Sequence, residues 1–579
     1  MKKHRMVTGA VLALTFSIWA ASPAPAGANE AVVSVQAQAS SRTEEASSVQ
    51  IFPASEVKLT ESQQKSLDKI YYILPELRKL NVQYITDPES EGNWSVFLRE
   101  GSLTSPGDRP ESSARLEFDA GSGELIDFDF HNPQWASEKT PSPELAKQKA
   151  AEFVRQLLGD KADQYKVGEN LGYSGSSHSD DKGNQINWTA ASVQFNPLIH
   201  GVPLLNWGFR VNVDVAGHIT GFSQQDSMQD LSETFFPDPK NAISLEEAER
   251  KYAQEVQMKL SYRQQQPLSY RMMGQPAETR PALVYTPNFQ GSIDALAGEP
   301  VEDLGYVLGQ PERRVLTGEG KELVARTPEE GVKLLAEKFG VDMNNMELLR
   351  SPEDRIDSQG KRNIKDYTWR TPYDLQEDRE NPRYVTLHTE ADTGKVLSFS
   401  LQDEASRGKE GKITLETARQ KAVQFVQPYL EPGSVEMELV SWSSGQFILS
   451  WVDQSKIDLD QLPVPISHFV FQPLHQGIPV VDRGYSVSVN EVTGKVVSYV
   501  QGGLDPAVEL PDAQGVVAAE VAKAEYLKTH PLRLVYLWPE WFGQRPPAPN
   551  LVYTLEEALG ATYIDALTGK TVIIEENNQ

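Results

Sequence analysis

The chain has 579 residues, with 55 basic and 81 acidic side chains, a formal charge of −26 and no cysteine. That length exceeds a single hydrophobic core, and the acidity argues against nucleic acid or an anionic membrane as the main partner. Without thiols there are no disulfides, no lipidated cysteine, no thiolate metal site and no cysteine nucleophile.

Residues 1–28 read as a signal peptide: Lys2, Lys3 and Arg5 are basic, residues 7–20 are largely apolar, and Ala26, Gly27 and Ala28 offer a small-residue cleavage site. The apolar run is shorter than the ~20 residues of a spanning helix. After cleavage no integral membrane segment is expected, and the product is expected to be secreted or associated with the cell envelope. Residues 29–58, rich in Ala, Ser, Val and Gln, read as a flexible leader.

Past the leader the chain repeats itself. ELAKQKAAEFV at residues 144–154 returns as ETARQKAVQFV at 416–426, and FNPLIHGVPL at 195–204 returns as FQPLHQGIPV at 471–480. PALVY with IDALAGE, within 281–299, returns as PNLVY with IDALTGK, within 549–570. The order is kept at a spacing of roughly 270 residues, which marks a duplication. The halves are residues 59–313 and 314–579. Each divides into three units, at about 60–131, 142–227 and 244–302, then 327–403, 414–503 and 515–576.

Every unit opens with a predicted amphipathic helix. Thr60 with Gln63, Ser244 with Glu247 and Thr327 with Glu330 have capping-box spacing, while Ser142 before Pro143, and Thr414, supply a hydroxyl cap. The sixth helix, around residues 516–527, has weaker capping. Ala146, Ala150, Phe153, Val154 and Leu157 form one apolar stripe on the second helix, and a small sheet is its natural partner.

Every unit closes with a hairpin whose turn needs a residue at positive φ, supplied by Gly123, Gly217, Gly298, Gly394, Gly494 and Gly569. One or two oxygens per turn fall short of the six or more that calcium takes, so these turns are structural. Units two and five add a further motif: Phe195, Pro197, Gly201 and Pro203 in one copy, Phe471, Pro473, Gly477 and Pro479 in the other. Its glycine makes a turn and its second proline borders a strand without needing a ladder donor. Trp188 and Trp451 precede it, and the second copy carries extra residues at 453–465, including Asp458 and Asp460, which read as an exposed loop.

The helix pattern followed by QGIPVVDRGYSVSVNEVTGKVVSYVQGG at residues 476–503 resembles PepSY-type modules and the propeptide modules of secreted thermolysin-like metallopeptidases. The tandem arrangement behind a signal resembles the YcdB/YcdC repeated-domain proteins. The resemblance implies an α+β fold, with tandem repeats of a small antiparallel β-sheet packed by an N-terminal helix. It also implies binding or restraint of extracellular peptidases, and it brings no catalytic residues.

The residues themselves supply little chemistry. The nine histidines contain no His-Glu-x-x-His. Ser174 follows Gly172 and Tyr173, but Ser176 stands where a nucleophile elbow requires glycine, and residues 176–184 read as a polar loop. His200 and His475 fall in different columns of the repeated motif, unlike duplicated metal ligands. The pairs Asp127/Asp129 and Asp458/Asp460 have the spacing that shares one strand face; a solvated edge accounts for them. The stretch containing Tyr536, Trp538, Trp541 and Phe542 fits core packing better than a ligand surface.

No catalytic residue, metal or cofactor is therefore expected. The expected function is a secreted, non-catalytic protein that binds extracellular protein or peptide, with modulation or inhibition of a secreted peptidase as its specific form. The alternatives are a structural or scaffold protein of the cell envelope and, third, a carboxylate-dependent hydrolase. Oligomeric state and the binding residues stay open, although specificity is expected where the two copies differ, as at residues 453–465.

Overall fold

The computed structural model describes residues 51–53, 59–86, 93–100, 112–179, 185–225, 235–264, 280–289, 291–301, 310–349, 354–356, 363–372, 383–444, 449, 451–458, 461–504, 507–555 and 562–573. Residues 1–28, expected to be a signal peptide, nearly all of the expected leader at 29–58, and Asp460 lie outside the described residues.

Units one and two fold together. Helices α1 (Glu61–Ile73) and α2 (Pro143–Leu158) pack on a sheet built from β1 (Ile51–Pro53), β2 (Asn81–Thr86), β3 (Asn93–Arg99), β4 (Ser113–Asp119), β5 (Leu125–His131), β6 (Tyr165–Ser179), β7 (Gln185–Ile199), β8 (Val202–Leu205), β9 (Phe209–Asp214) and β10 (Ile219–Gln224). Their order is β1-β2-β3-β4-β5-β10-β9-β7, with β6 and β8 both on β7. Antiparallel pairing between β5 and β10 joins the two units, with Phe128 opposite Phe222. The predicted stripe of α2 is buried as a set, from Ala146 at 0 % exposure to Leu157 at 5 %.

Unit three contains α3 (Leu245–Glu255) with β11 (Met258–Gln264), β12 (Pro281–Pro287), β13 (Ser292–Asp294) and β14 (Pro300–Val301). After unit three, β15 (Glu312–Gly318) leads into units four and five. Those units hold α4 (Pro328–Leu334), α5 (Leu415–Val426), β16 (Glu347–Leu348), β17 (Asp354–Ile356), β18 (Asn363–Arg370), β19 (Tyr384–Glu390), β20 (Val396–Gln402), β21 (Gly433–Ser443), β22 (Ile466–His475), β23 (Ile478–Pro479), β24 (Tyr485–Asn490) and β25 (Val496–Gln501). Unit six supplies α6 (Ala519–Thr529), β26 (Leu532–Leu537), β27 (Asn550–Leu555), β28 (Thr562–Asp565) and β29 (Thr571–Ile573). The second large sheet runs β15-β21-β22-β24-β25-β20-β19-β18-β16, repeating the first and adding β15 at one edge.

Units three and six do not close on themselves. Their strands run in the orders β11-β12-β28-β29, a sheet of its own, and β26-β27-β13-β14, which continues the first large sheet through β8. In each, the middle strand pair of one half meets the closing hairpin of the other. Val284 and Tyr285 pair with Asp565 and Ile564, while Val552 and Tyr553 pair with Asp294 and Ile293. α3 contacts β26 and its own β13 and β14; α6 contacts β11 and its own β28 and β29. One core results, with Tyr252, Tyr262 and Tyr536 all fully buried in it. The chain is an internal pair of strand-exchanged copies, the arrangement a swapped dimer reaches with two chains.

Local chemistry explains the elements. Thr60 accepts from the Gln63 N–H and the Gln63 side chain answers, completing that capping box. Ser142, Ser244, Thr327 and Thr414 each accept an N–H three residues on. α6 has Ala518 at its cap and no side-chain acceptor. The six turn glycines lie at φ between 68° and 87°. One expectation fails: Ser176–Ser179 belong to β6 rather than to a polar loop. Gly168, Gly172 and Gly175 interrupt the alternation by which a strand is recognised, and β7 alongside supplies the ladder.

Candidate functional site

The repeated Phe-Pro-Gly-Pro motif is a coupling between halves. Phe195 and Phe471 are buried core residues, 3 % and 0 % exposed. After them β7 and β22 reach two-residue turns, His200–Gly201 at φ 51° and 79° and Gln476–Gly477 at φ 51° and 76°. Two successive positive φ values define a type I′ hairpin, whose twist matches the flanking strands. Pro203 returns opposite Leu198 and Pro479 opposite Leu474. Beyond the turn each copy crosses to the other half: Leu204 runs parallel to Tyr536 of β26, and Val480 bridges in parallel to Tyr262 of β11.

The two couplings differ in chemistry. At β26, Trp207 stacks on Trp538 with centroids 5.6 Å apart, Phe236 meets Tyr536 and Trp538 edge-on, and the Arg545 guanidinium lies 4.4 Å above Trp207. Tyr536 and Trp538 thus pack in the core, as their sequence implied. At β11 the contacts are charged. Lys259 pairs with Glu438, and the Gln264 N–H donates to the Asp482 carboxylate at 2.6 Å beside Arg263. Burial raises the Asp482 carboxyl above its ordinary value, against the lowering effects of the Gln264 N–H and Arg263.

His200 and His475 come close to equivalent tyrosines. The His200 Nδ1 lies 3.4 Å from the Tyr536 hydroxyl, and the His475 ring meets Tyr262 edge-on at 5.5 Å. Neither belongs to a metal-binding group; among the described residues no cluster of three or more His, Asp or Glu fits a cation. The insertion after Trp451 is tied down at its start: the Asp453 N–H donates to the Gln544 side chain at 2.9 Å, and the Gln544 amide donates back to the Asp453 carbonyl at 3.0 Å. Gln544 sits one tight turn after Trp541 and Phe542, with Phe542 at φ 52°.

Catalytic geometry is not assembled at the sequence candidates. Ser174 lies mid-strand opposite Ala190, without the strand–turn–helix of a nucleophile elbow. Asp127 pairs across the ladder with Glu117 and Ser223, and Asp129 with Arg115 and Gly221. Burial raises both carboxyls, with Glu117 adding to the rise at Asp127. They lie on a sheet face, while a groove of about 410 Å³ is elsewhere, lined by residues such as Glu249, Arg250, Lys528 and His530. Asp458 is exposed.

One arrangement escaped the sequence reading. His388 Nδ1 lies 2.9 Å from the Ser398 hydroxyl and its Nε2 3.4 Å from Asp366, across three adjacent strands. The order Ser–His–Asp matches a hydrolytic relay, yet Ser398 sits mid-strand between β19 and β25. Its neighbouring N–H groups lie within that sheet, which supplies no oxyanion site beside the hydroxyl. Cross-strand register alone could have flagged it, and register is not readable before pairing is known.

The sheet edges separate the two halves more sharply. Tyr165 and Val167 of β6 face Pro197 and Phe195, as Met437 and Leu439 of β21 face Pro473 and Phe471. Met437 and Leu439 are 0 % and 1 % exposed, with β15 paired outside them from Glu312–Leu439 to Gly318–Gly433. Tyr165, Val167, Leu171 and Tyr173 are only half-buried. Among the described strands, β6 has β7 as its sole partner.

Fold and site define a duplicated α+β repeat protein whose repeated motif couples its halves. A family model described as the YcdB, YcdC repeated domain matches residues 60–226 and 343–503, and the chain belongs to that family. The matches span units one and two, then most of four and all of five, so the strand-exchanged body lies outside them. Among solved structures, the Bacillus megaterium YpeB C-terminal domain aligns at 13 % identity and a TM-score of 0.23, over 44 % of this chain and 96 % of that one. Among curated proteins no sequence matches.

Proposed function

We propose that the chain is an exported, non-catalytic protein that binds other extracellular polypeptides, with restraint of a secreted peptidase as its specific form. The observation supporting this reading is β15. This segment lies outside the repeated elements, and seven of its residues pair along the edge of β21. The scaffold thus accommodates an added strand, and backbone pairing at a sheet edge is a general mode of polypeptide recognition.

Purified full-length protein, mixed with culture supernatant of its native host, should retain one or more polypeptides and slow a peptidase among them. No retained polypeptide would remove the binding function; retention without slowed proteolysis would remove only the peptidase role. A scaffold role in the cell envelope is the second reading, favoured by the strand exchange that joins both halves into one body. Fractionation decides it, since a spacer stays with the wall without a captured partner.

A further inference from the structure

We infer that the groove between α3 and the end of α6 is a binding site for a small zwitterion with an apolar side chain, an amino acid or a short peptide with free ends. It is separate from the polypeptide capture proposed above, so the two stand or fall independently.

The groove has a volume of about 410 Å³, within the range of small-molecule sites. Its floor is made of Tyr252, His530 and Leu532, all buried, with Leu527 half-buried beside them. The His530 Nδ1 lies 2.9 Å from the Tyr526 carbonyl, and the Tyr252 hydroxyl donates to the Phe289 carbonyl at 3.4 Å. Both rings are thus fixed by backbone groups. Burial lowers the His530 imidazole below its ordinary value, against the raising effect of the Tyr526 carbonyl, which keeps the floor uncharged at neutral pH. With the two leucines it offers a surface for an apolar side chain.

The rim is charged with both signs. Glu246 and Glu249 lie one turn apart on α3, and Lys528 stands in the last turn of α6. All three are exposed, and among the described residues none has an ion pair or hydrogen bond through its side chain. Arg250 is held loosely, 3.6 Å from Glu247. Carboxylates without a cation and an ammonium without a carboxylate, around one apolar floor, match the two charged ends and the side chain of such a ligand.

The duplication shows which residues the scaffold itself needs. Ala248 and Tyr252 return as Ala522 and Tyr526, and all four belong to the shared core. The charges do not return. Glu249 and Arg250 are replaced by Lys523 and Ala524 on α6, while the positions of Lys528 and His530 hold Gln254 and Val256 in the first copy. Val256 is 0 % exposed. The base at the rim and the imidazole in the floor are therefore found on one side of the exchange, and packing of the repeated helix does not demand them.

Equilibrium dialysis of the full-length protein against labelled leucine and labelled leucyl-leucine should show one site per chain for either probe or for both. Acetylating the amine and amidating the carboxyl of the bound probe should each weaken binding about fivefold, the upper worth of one exposed ion pair. Lys528→Glu should weaken it at least as much, and so should Glu246→Gln with Glu249→Gln. Gln254→Glu, at the position equivalent to Lys528 on the other side, should leave binding unchanged. These positions are exposed, so the thermal melts should stay near that of the wild type. If Lys528→Glu unfolds, the capped probes on the unmodified chain still decide. Absence of binding at millimolar probe, equal affinity for the doubly capped probe, equal affinity in Lys528→Glu, or an equal loss in Gln254→Glu each overturns the inference. Retention of supernatant polypeptides by a chain that binds neither probe would overturn it while leaving the polypeptide-binding function intact.

Discussion

The Tyr285 hydroxyl donates to the Val517 carbonyl at 2.8 Å, tying the first half to the residue just before the cap of α6. Its copy Tyr553 donates to Ile243, just before the cap of α3, at the same distance. Tyr262 and Tyr536 repeat the relationship by donating to Pro511 and Pro237. Each half therefore orients the other's helix. Removing one hydroxyl leaves a carbonyl without its donor, so Tyr285→Phe should cost about 1 kcal/mol, and Tyr285→Phe with Tyr553→Phe about twice that. Urea unfolding checks this: equal midpoints for wild type and the double variant would deny these bonds a role in coupling.

The caps, turns and apolar stripes were legible because each depends on residues a few positions apart. The exchange between units three and six was not. Its two copies carry matching strands, PALVY and PNLVY, and the same Asp-Ala-Leu turn, so self-closure and cross-closure satisfy one pattern equally, and only three-dimensional register separates them. The motif around Gly201 was visible as a motif, but its role lies in Leu204 and Val480 crossing to Tyr536 and Tyr262. The β6 edge stayed hidden behind glycines that erase strand alternation.

Two glycines in this region should behave very differently. A Cβ on Gly201, at φ 79°, would meet nothing within 4 Å, so Gly201→Ala should cost only the left-handed backbone, about 1 kcal/mol. At Gly208, with φ 89°, a Cβ would lie 2.2 Å from the Phe195 carbonyl oxygen. Backbone must move there, and Gly208→Ala should cost about 3 kcal/mol or more. Comparable melting temperatures for the two variants would contradict the close approach.

Acid should destabilise the second sheet through His468. Burial lowers its imidazole to about 4, and its Nδ1 lies 3.0 Å from the Ser488 hydroxyl, with Trp442 stacked at 5.2 Å. The unfolded chain binds this proton near pH 6.5 and the folded chain only near 4, so unfolding takes up a proton between those values. Stability present above pH 6.5 is lost as pH falls, by at most about 1.4 kcal/mol per pH unit. Asp482 carries the opposite sign, because its raised carboxyl favours the folded state when protonated. In His468→Gln the decline between pH 6.5 and 4 should flatten in chemical-denaturation curves; an unchanged slope would assign it to other groups.

The exchanged strands also predict what happens when the chain is cut. A protease site placed between Val301 and Gln310 would separate the halves covalently while leaving β12 paired with β28 and β27 with β13. The buried tyrosines, both Phe-Pro-Gly-Pro couplings and the Lys259–Glu438 pair would remain in place. An interface made of a shared core depends little on a covalent tether, whose general contribution is effective concentration. After complete cleavage the fragments should elute together at the size of the intact chain and part only in denaturant. Separate elution in native buffer would mean that the tether, rather than the exchanged strands, holds the halves.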